Sequence, residues 1–392
     1  MPNTNARTFS FPFTNLKTPL IQNYEYTLKL HIDTTKDLSE GKDFKLTVIS
    51  TGIKDDPTGE FIIDYGDGVV VSSKNLIGGK NTHNYTNTGQ YVISLFLKTE
   101  FTNKFEMKFR DNKNITKIEG KLLKAPNTDG NFNYCFYNCS SLESVPVDLF
   151  EDVSISTINS CFMNCTSLKT IPVGIFNNQR INSCNECFCG CSSITTIPSN
   201  LFETSKYLQQ AGYCFKNTKI TEIPEDLFTG LTVLSLVSGC FENTPITVIP
   251  SQLFKPIRYG LSICREIFKN CTNLTSIPMD LFKDNPDLLT VDSCFEGCTS
   301  IIEIPAGLFK NKASLETASR CFSMCSGITT VAPDIFDGST NIVNFELTFY
   351  DCINITSNVP ILWTRYNVTS CYGCFLNCTK AANYSSIPSG WR

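Results

Sequence analysis

The chain has 392 residues, 41% of them hydrophobic and 18% charged, with a formal net charge of −4. That mildly acidic balance leaves no basic stripe of the kind a nucleic-acid partner demands, and no run approaches the ~18 consecutive apolar residues of a membrane-inserted span. The two histidines, His31 and His83, both fall in the first third, which excludes histidine-based catalysis or a histidine-rich metal site from the rest.

In chain order, residues 1–21 are polar, contain Pro12 and Pro19, and read as an extended N-terminal arm, the expected place for homo- or hetero-oligomeric assembly. The start lacks the continuous apolar stretch of a signal peptide, which favours either a protein used without Sec-type export or a trimmed chain. Residues 22–108 carry period-two strands at Tyr24 to Asp33, Phe44 to Ser50, Phe61 to Tyr65, Gly89 to Lys98 and Phe105 to Phe109. Strands of this kind between turn signals predict a small antiparallel β-sandwich. Asp67-Gly68 is a favoured hairpin turn and Asp64 a partner for nearby backbone amides; calcium ligation or a catalytic carboxylate pair is the alternative. His83 belongs to the same structural motif, and Gly78-Gly79 reads as a turn because the phosphate-loop spacing is absent.

From about residue 109 a unit of 26 or 27 residues repeats to the end of the chain. Its anchor is Cys135-Phe136-Tyr137-Asn138-Cys139, returning as Cys161-Phe162-Met163-Asn164-Cys165 and, with variation, as Cys294-Phe295-Glu296-Gly297-Cys298. Leu142 and Val145, Leu168 and Ile171, and Leu274 and Ile277 lie three apart before a proline. Then come Leu149-Phe150, Ile175-Phe176 and their copies, read as a helical or 3₁₀ turn. Such a unit cannot bury its apolar side alone, so its copies are expected to stack, pairing short parallel strands at the Leu-x-x-Ile positions. Ten anchors and an imperfect first coil at Phe109, Asn112, Ile115 and Ile118 give about eleven layers, spanning ~50 Å at ~4.8 Å per layer.

All twenty cysteines fall between Cys135 and Cys378. Thr218 and Thr244 replace the second anchor cysteine, and Ile267 and Thr348 the first. Such swaps suit a compact interior slot better than a disulfide or a metal, because cysteine behaves as a small buried hydrophobe. Stacked free thiols are therefore the leading reading, ahead of disulfides and of a metal site, for which Cys184, Cys187, Cys189 and Cys191 are the best candidates. No cofactor and no metal is assigned. Triplets such as Asn138-Cys139-Ser140 follow from the anchor and receive no glycan.

The anchor of aromatic, Asn-Cys and Leu-x-x-Ile-Pro, as in Phe162-Met163-Asn164-Cys165 through Leu168, Ile171 and Pro172, resembles leucine-rich repeat proteins of the BspA type over residues 109–392. Asp64-Tyr65-Gly66-Asp67-Gly68, His83-Asn84-Tyr85 and Gly89 to Leu95 resemble a PKD-like, immunoglobulin-like domain over 22–110. The resemblances imply an N-terminal antiparallel β-sandwich followed by a parallel-stranded leucine-rich repeat solenoid, in a class dominated by noncatalytic adhesins.

No catalytic triad can be assembled in the repeats, so the expected role is noncatalytic recognition of a protein or glycan on a cell surface, from a bacteriophage particle or a bacterial surface. Alternatives are a virion structural or decoration protein and a secreted BspA-like adhesin. A virion or extracellular location follows from either. The candidate binding face is Glu143, Lys169, Thr195, Glu222, Thr275, Glu303 and Thr329, with a second candidate in the distal aromatics Trp363, Tyr366, Tyr372, Tyr384 and Trp391, which equally suit a terminal cap.

Overall fold

The structure is a computed structural model that describes residues 24–36, 43–51, 61–72, 79–98, 104–122, 130–177 and 179–392. The arm expected over 1–21, and Gly78 of the expected turn, lie outside the described residues. The five expected strands form at β1 (Tyr24–Asp33), β2 (Asp43–Thr51), β3 (Phe61–Asp64), β6 (Gln90–Lys98) and β7 (Lys104–Lys108). Alternation explains β1: Leu28, Leu30 and Ile32 are buried, and Leu30 pairs with the buried Ile93. Three more strands join them, β4 (Val70–Ser72), β5 (Gly79–Asn84) and β8 (Ile115–Gly120). No apolar alternation marks Gly79-Lys80-Asn81-Thr82-His83-Asn84, so β5 is held by its pairing with β2 and not by propensity.

The strands make a five-stranded sheet in the order β4-β3-β6-β1-β8 and a three-stranded sheet in the order β5-β2-β7. Phe44 of β2 reaches Tyr65 at 6.1 Å and Phe109 at 6.4 Å between ring centroids, so apolar side chains of both sheets and of the first repeat share one core.

The expected fold class, an antiparallel β-sandwich followed by a parallel-stranded leucine-rich repeat solenoid of about eleven coils, is corrected. The sheets are small, unequal and unclosed. The five-stranded one takes β8 from residues assigned to the first coil, pairing it antiparallel to β1. Among the described residues there is no α-helix, only the 3₁₀ turns Tyr384–Ser386 and Ser389–Trp391. A leucine-rich repeat needs a strand plus a helix or 3₁₀ segment in each unit. Here the Leu-Phe segments are hydrogen-bonded turns, as in Leu149 N–H to Pro146 O at 3.3 Å. The BspA-type and PKD-like assignments, and the descriptors that follow from them, fall with that fold class.

The strands expected at Leu-x-x-Ile shrink to β9 (Glu303–Ile304) pairing with β10 (Thr330–Val331) and to single parallel bridges such as Glu222 to Val248. The proline that follows has no N–H, which stops a ladder there. The longer column of parallel bridges lies before the anchor cysteine, running Asn131, Thr157, Ser183, Gln210, Leu236, Ile263, Thr290, Thr317, Asn344, Ser370. Each contact is one residue long because the chain soon turns left-handed, at Tyr134 (φ 60°), Ser160 (φ 54°), Glu186 (φ 58°) and Tyr213 (φ 56°). A positive φ ends a strand.

The repeated segments form turn-built windings in which the recurring anchor side chains meet those of the neighbouring winding. Eleven phenylalanine rings, from Phe109 through Phe136, Phe162, Phe188, Phe215, Phe241, Phe268, Phe295, Phe322 and Phe349 to Phe375, stack with centroids 5.2–5.9 Å apart. Each such pair adds ~0.5–1.5 kcal/mol beyond its burial. The second anchor cysteines donate S–H to the phenylalanine carbonyl one winding back: Cys139 to Phe109, Cys165 to Phe136, Cys191 to Phe162, Cys298 to Phe268 and Cys325 to Phe295, at 2.9–3.2 Å. Thr218 and Thr244 turn their hydroxyls to Phe215 O and Phe241 O instead, at 2.8 and 2.7 Å, which is why a hydroxyl can stand in the slot. The anchor asparagines take the left-handed conformation (Asn164 φ 61°, Asn243 φ 56°), tolerated by Asn better than by most residues. Their amides chain from copy to copy, Asn164 to Asn138 and Asn270 to Asn243 at 2.9 Å.

Candidate functional site

On the candidate face read from the sequence, Glu222, Thr275 and Glu303 are exposed, as are Lys169 and Thr195, while Glu143 and Thr329 are half-buried. The backbone brings neighbours together, as in Lys169 N–H to Glu143 O at 3.2 Å and Thr329 N–H to Ile302 O at 2.9 Å. Lys169 Nζ meets Glu143 Oε2 at 2.6 Å. The lysine holds the Glu143 carboxyl below its usual range.

The distal aromatics split. Trp391 is buried, lies 6.5 Å from Phe375 and 6.3 Å from Phe345, and its carbonyl accepts from Phe375 N–H at 2.7 Å. Trp363 meets Phe375 edge-on at 6.2 Å, and Arg392 lies over the Tyr384 ring. These three close the end of the ring column. Tyr366 and Tyr372, 97% and 70% exposed, stand apart from them.

In the sheet region the aspartates serve the turn: Asp64 accepts from Gly66 N–H at 2.8 Å, and Asp67 from Val69 N–H at 3.1 Å. His83 contacts Asp67 at 2.8 Å and stacks on Tyr65 at 3.9 Å. All twenty thiols are free, and all but Cys371 are buried. Burial raises the Cys184 and Cys187 thiols and raises Cys189 to about 11. These thiols stay protonated near neutral pH and are poor nucleophiles. Among the described residues no group of three or more His, Cys, Asp or Glu side chains is placed to hold a metal, and no helix is long and apolar enough to cross a membrane.

A feature absent from the sequence reading is a groove of about 620 Å³ on the side of the bridge column and the left-handed turns. Its floor is Asn159, Ser160, Asn185 and Glu186, with Tyr134 at one end and Tyr213 and Arg265 toward the other. The left-handed φ at 134, 160, 186 and 213 places those four residues at equivalent points on successive windings. Arg110 lies 5.7 Å from the Tyr134 ring and 5.6 Å from the Tyr137 ring, a cation–π contact that fixes this end.

At the other end the Tyr213 ring lies over Gly239, where an added Cβ would come within 2.1 Å of the ring. Tyr213 thereby reaches across two windings to donate its hydroxyl to Glu266 at 2.9 Å. Burial and then Glu266 push the Tyr213 phenol up to about 12, so it remains a neutral donor. Beyond it, Lys216 pairs with Glu242 at 2.8 Å and Lys269 with Glu296 at 3.2 Å, while Arg265 Nε lies 3.7 Å from Asp292. The sequence signal for this site was weak, because its residues occupy the variable positions before and within the anchor and only their backbone conformation aligns them.

No family model and no curated protein matches the chain. Among solved structures it is similar to a leucine-rich cell surface protein from Faecalibacterium prausnitzii A2-165, at 20% identity over 54% of this chain and 74% of that one, with a TM-score of 0.17. It is also similar to a TLR13–ssRNA13 complex, at 14% identity over 57% of this chain and 35% of that one, with a TM-score of 0.19. Superpositions at these scores establish no shared fold.

Proposed function

We infer that this is a noncatalytic recognition protein that engages a protein or glycan on a cell, displayed from a bacteriophage particle or a bacterial surface. The observation that carries the reading is the groove: about 620 Å³, bounded by aromatic rings and floored by polar side chains, on a scaffold whose interior is fully committed to its own stacking. Stacked units of this sort supply rows of similarly spaced side chains to a large ligand. Burial holds thiols such as Cys165 and Cys294 protonated, which argues against thiol chemistry and leaves the groove as the feature to be used.

The test is flow cytometry of the fluorescently labelled full chain on a panel of bacterial strains, wild type against a Tyr134→Asn, Arg265→Glu variant. Asn tolerates the left-handed backbone at 134, so the ring is removed without new strain. The expected outcome is binding to a subset of strains, reduced about tenfold or more in the variant, a change of ~1.4 kcal/mol. Equal binding by both chains contradicts the reading.

A further inference from the structure

We propose that the ligand of this groove is a neutral oligosaccharide of a few sugar units, an inference that rests on the recognition reading above and names its substrate class. Three properties of the lining select it. The first is the state of the backbone. Ser160 N–H is spent on Asn185 O at 2.8 Å, Glu186 N–H on Gly212 O at 2.8 Å, and Tyr213 N–H on Ser238 O at 2.6 Å. An extended peptide that binds by strand addition needs free main-chain donors, and these windings have none to give along the floor. Recognition here runs through side chains.

The second property is which side-chain groups remain uncommitted. Asn159 Oδ1 is occupied by the Ser183 hydroxyl at 2.6 Å and Asn185 N–H at 2.8 Å, while its amide nitrogen has no partner among the described residues. Glu186 uses Oε2 for the Ser160 hydroxyl at 2.8 Å, and its other oxygen is open. Among the described residues Arg265 is engaged through Nε, to Thr290 Oγ1 at 3.2 Å and near Asp292. Planar amide, carboxylate and guanidinium groups with paired polar atoms match the vicinal hydroxyls of a pyranose. Tyr134, 42% exposed, offers the part of its ring that Arg110 leaves uncovered to sugar C–H groups.

The third property is charge and depth. The lining holds one carboxylate, Glu186, and one guanidinium, Arg265, which Asp292 already approaches at 3.7 Å, so the groove has no excess positive charge with which to hold a polyanion. The apolar lining is confined to Leu236 and Ile263 beside the tyrosines, too little to form the desolvated anchor pocket on which protein interfaces depend. From Tyr134 to Arg265 the groove crosses five winding steps, on the order of 24 Å at ~4.8 Å each, room for an oligomer and not only for a monosaccharide.

The experiment is a titration of the full chain, by calorimetry and on a printed array, with neutral oligosaccharides built from glucose, galactose and N-acetylhexosamines. The expected result is saturable binding of at least one of them, weakened about tenfold by Tyr134→Asn and to a similar degree by Glu186→Gln, with the circular dichroism spectrum of the folded chain retained. Lys169→Ala, on the other face, should leave it intact. Silence of the whole panel, or binding indifferent to both groove variants, overturns the proposal. If the groove variants abolish cell binding while no saccharide binds, the glycan inference fails and the recognition reading stands. If cell binding survives the groove variants, the reading itself fails.

Discussion

The sheets of residues 24–122 and the windings of residues 130–392 solve the same burial problem in opposite ways. In the sheets every contact is individual: Phe44 meets Tyr65 and Phe109, Tyr85 donates its hydroxyl to Tyr65 O at 3.0 Å, and no two core residues share an environment. In the windings one environment is issued many times, so Phe162, Phe241 and Phe322 each lie between two copies of themselves. A substitution in the sheets therefore reports on one place, whereas a substitution in the windings reports on a position class.

The largest effect that can break this comparison is pH. Burial raises nearly all the winding thiols, Cys271 to about 11 and Cys325 to about 12, while an unfolded thiol titrates near 8.5. A raised folded-state pKa means the contribution is complete below ~8.5 and is lost as pH climbs through the folded values. Each thiol raised in this way then removes about 1.4 kcal/mol per pH unit in that window. Denaturant unfolding monitored by circular dichroism from pH 7 to 10 should show the windings failing steeply above pH 8.5, whereas the cysteine-free sheet region lacks this alkaline dependence. A flat profile would mean the thiols are wet.

Next in size is the ring column. Phe162→Ala, Phe241→Ala and Phe322→Ala should each cost about 3–5 kcal/mol and agree with one another within about 1 kcal/mol by urea titration, because each ring lies between two copies of itself. Costs that scatter widely along the column would contradict the position-class description.

A smaller effect is expected at the anchor asparagines. Asn243→Ala loses amide bonds to Asn217 and Asn270 and places a Cβ residue without local hydrogen bonding at φ 56°, for a cost of about 1–2 kcal/mol. Asn243→Gly relieves the backbone and should recover part of it, a difference thermal melts can resolve. Smallest of all, Lys169→Ala breaks only the exposed pair with Glu143 and should change stability by less than about 1 kcal/mol.

How much of this was legible beforehand divides along the same line. The residue classes that recur in the repeat, cysteine, phenylalanine and the Leu-x-x-Ile pair, are interior: Cys139, Cys165, Cys298 and Cys325 are all fully buried. What recurrence could not convey was backbone conformation. Tyr134, Glu186 and Tyr213 share a left-handed φ that none of these residue types advertises, and that turn both shortens the strands and aligns the groove. The spacing that predicts leucine-rich repeat strands and a helical or 3₁₀ turn is satisfied equally well by hydrogen-bonded turns. Likewise β5 carries no alternation, and β8 was hidden because its Ile115 and Ile118 fit the repeat as well as they fit a sheet.

The most direct measurement of the dry, self-stacked interior, which leaves the outer surface as the place for recognition, is a thiol count with a chromogenic disulfide reagent at pH 7.5. The native chain should expose about one fast-reacting thiol, Cys371, and all twenty only in denaturant. Prompt reaction of half or more of the thiols in the native chain would show solvent reaching the column and contradict the packing on which the groove depends.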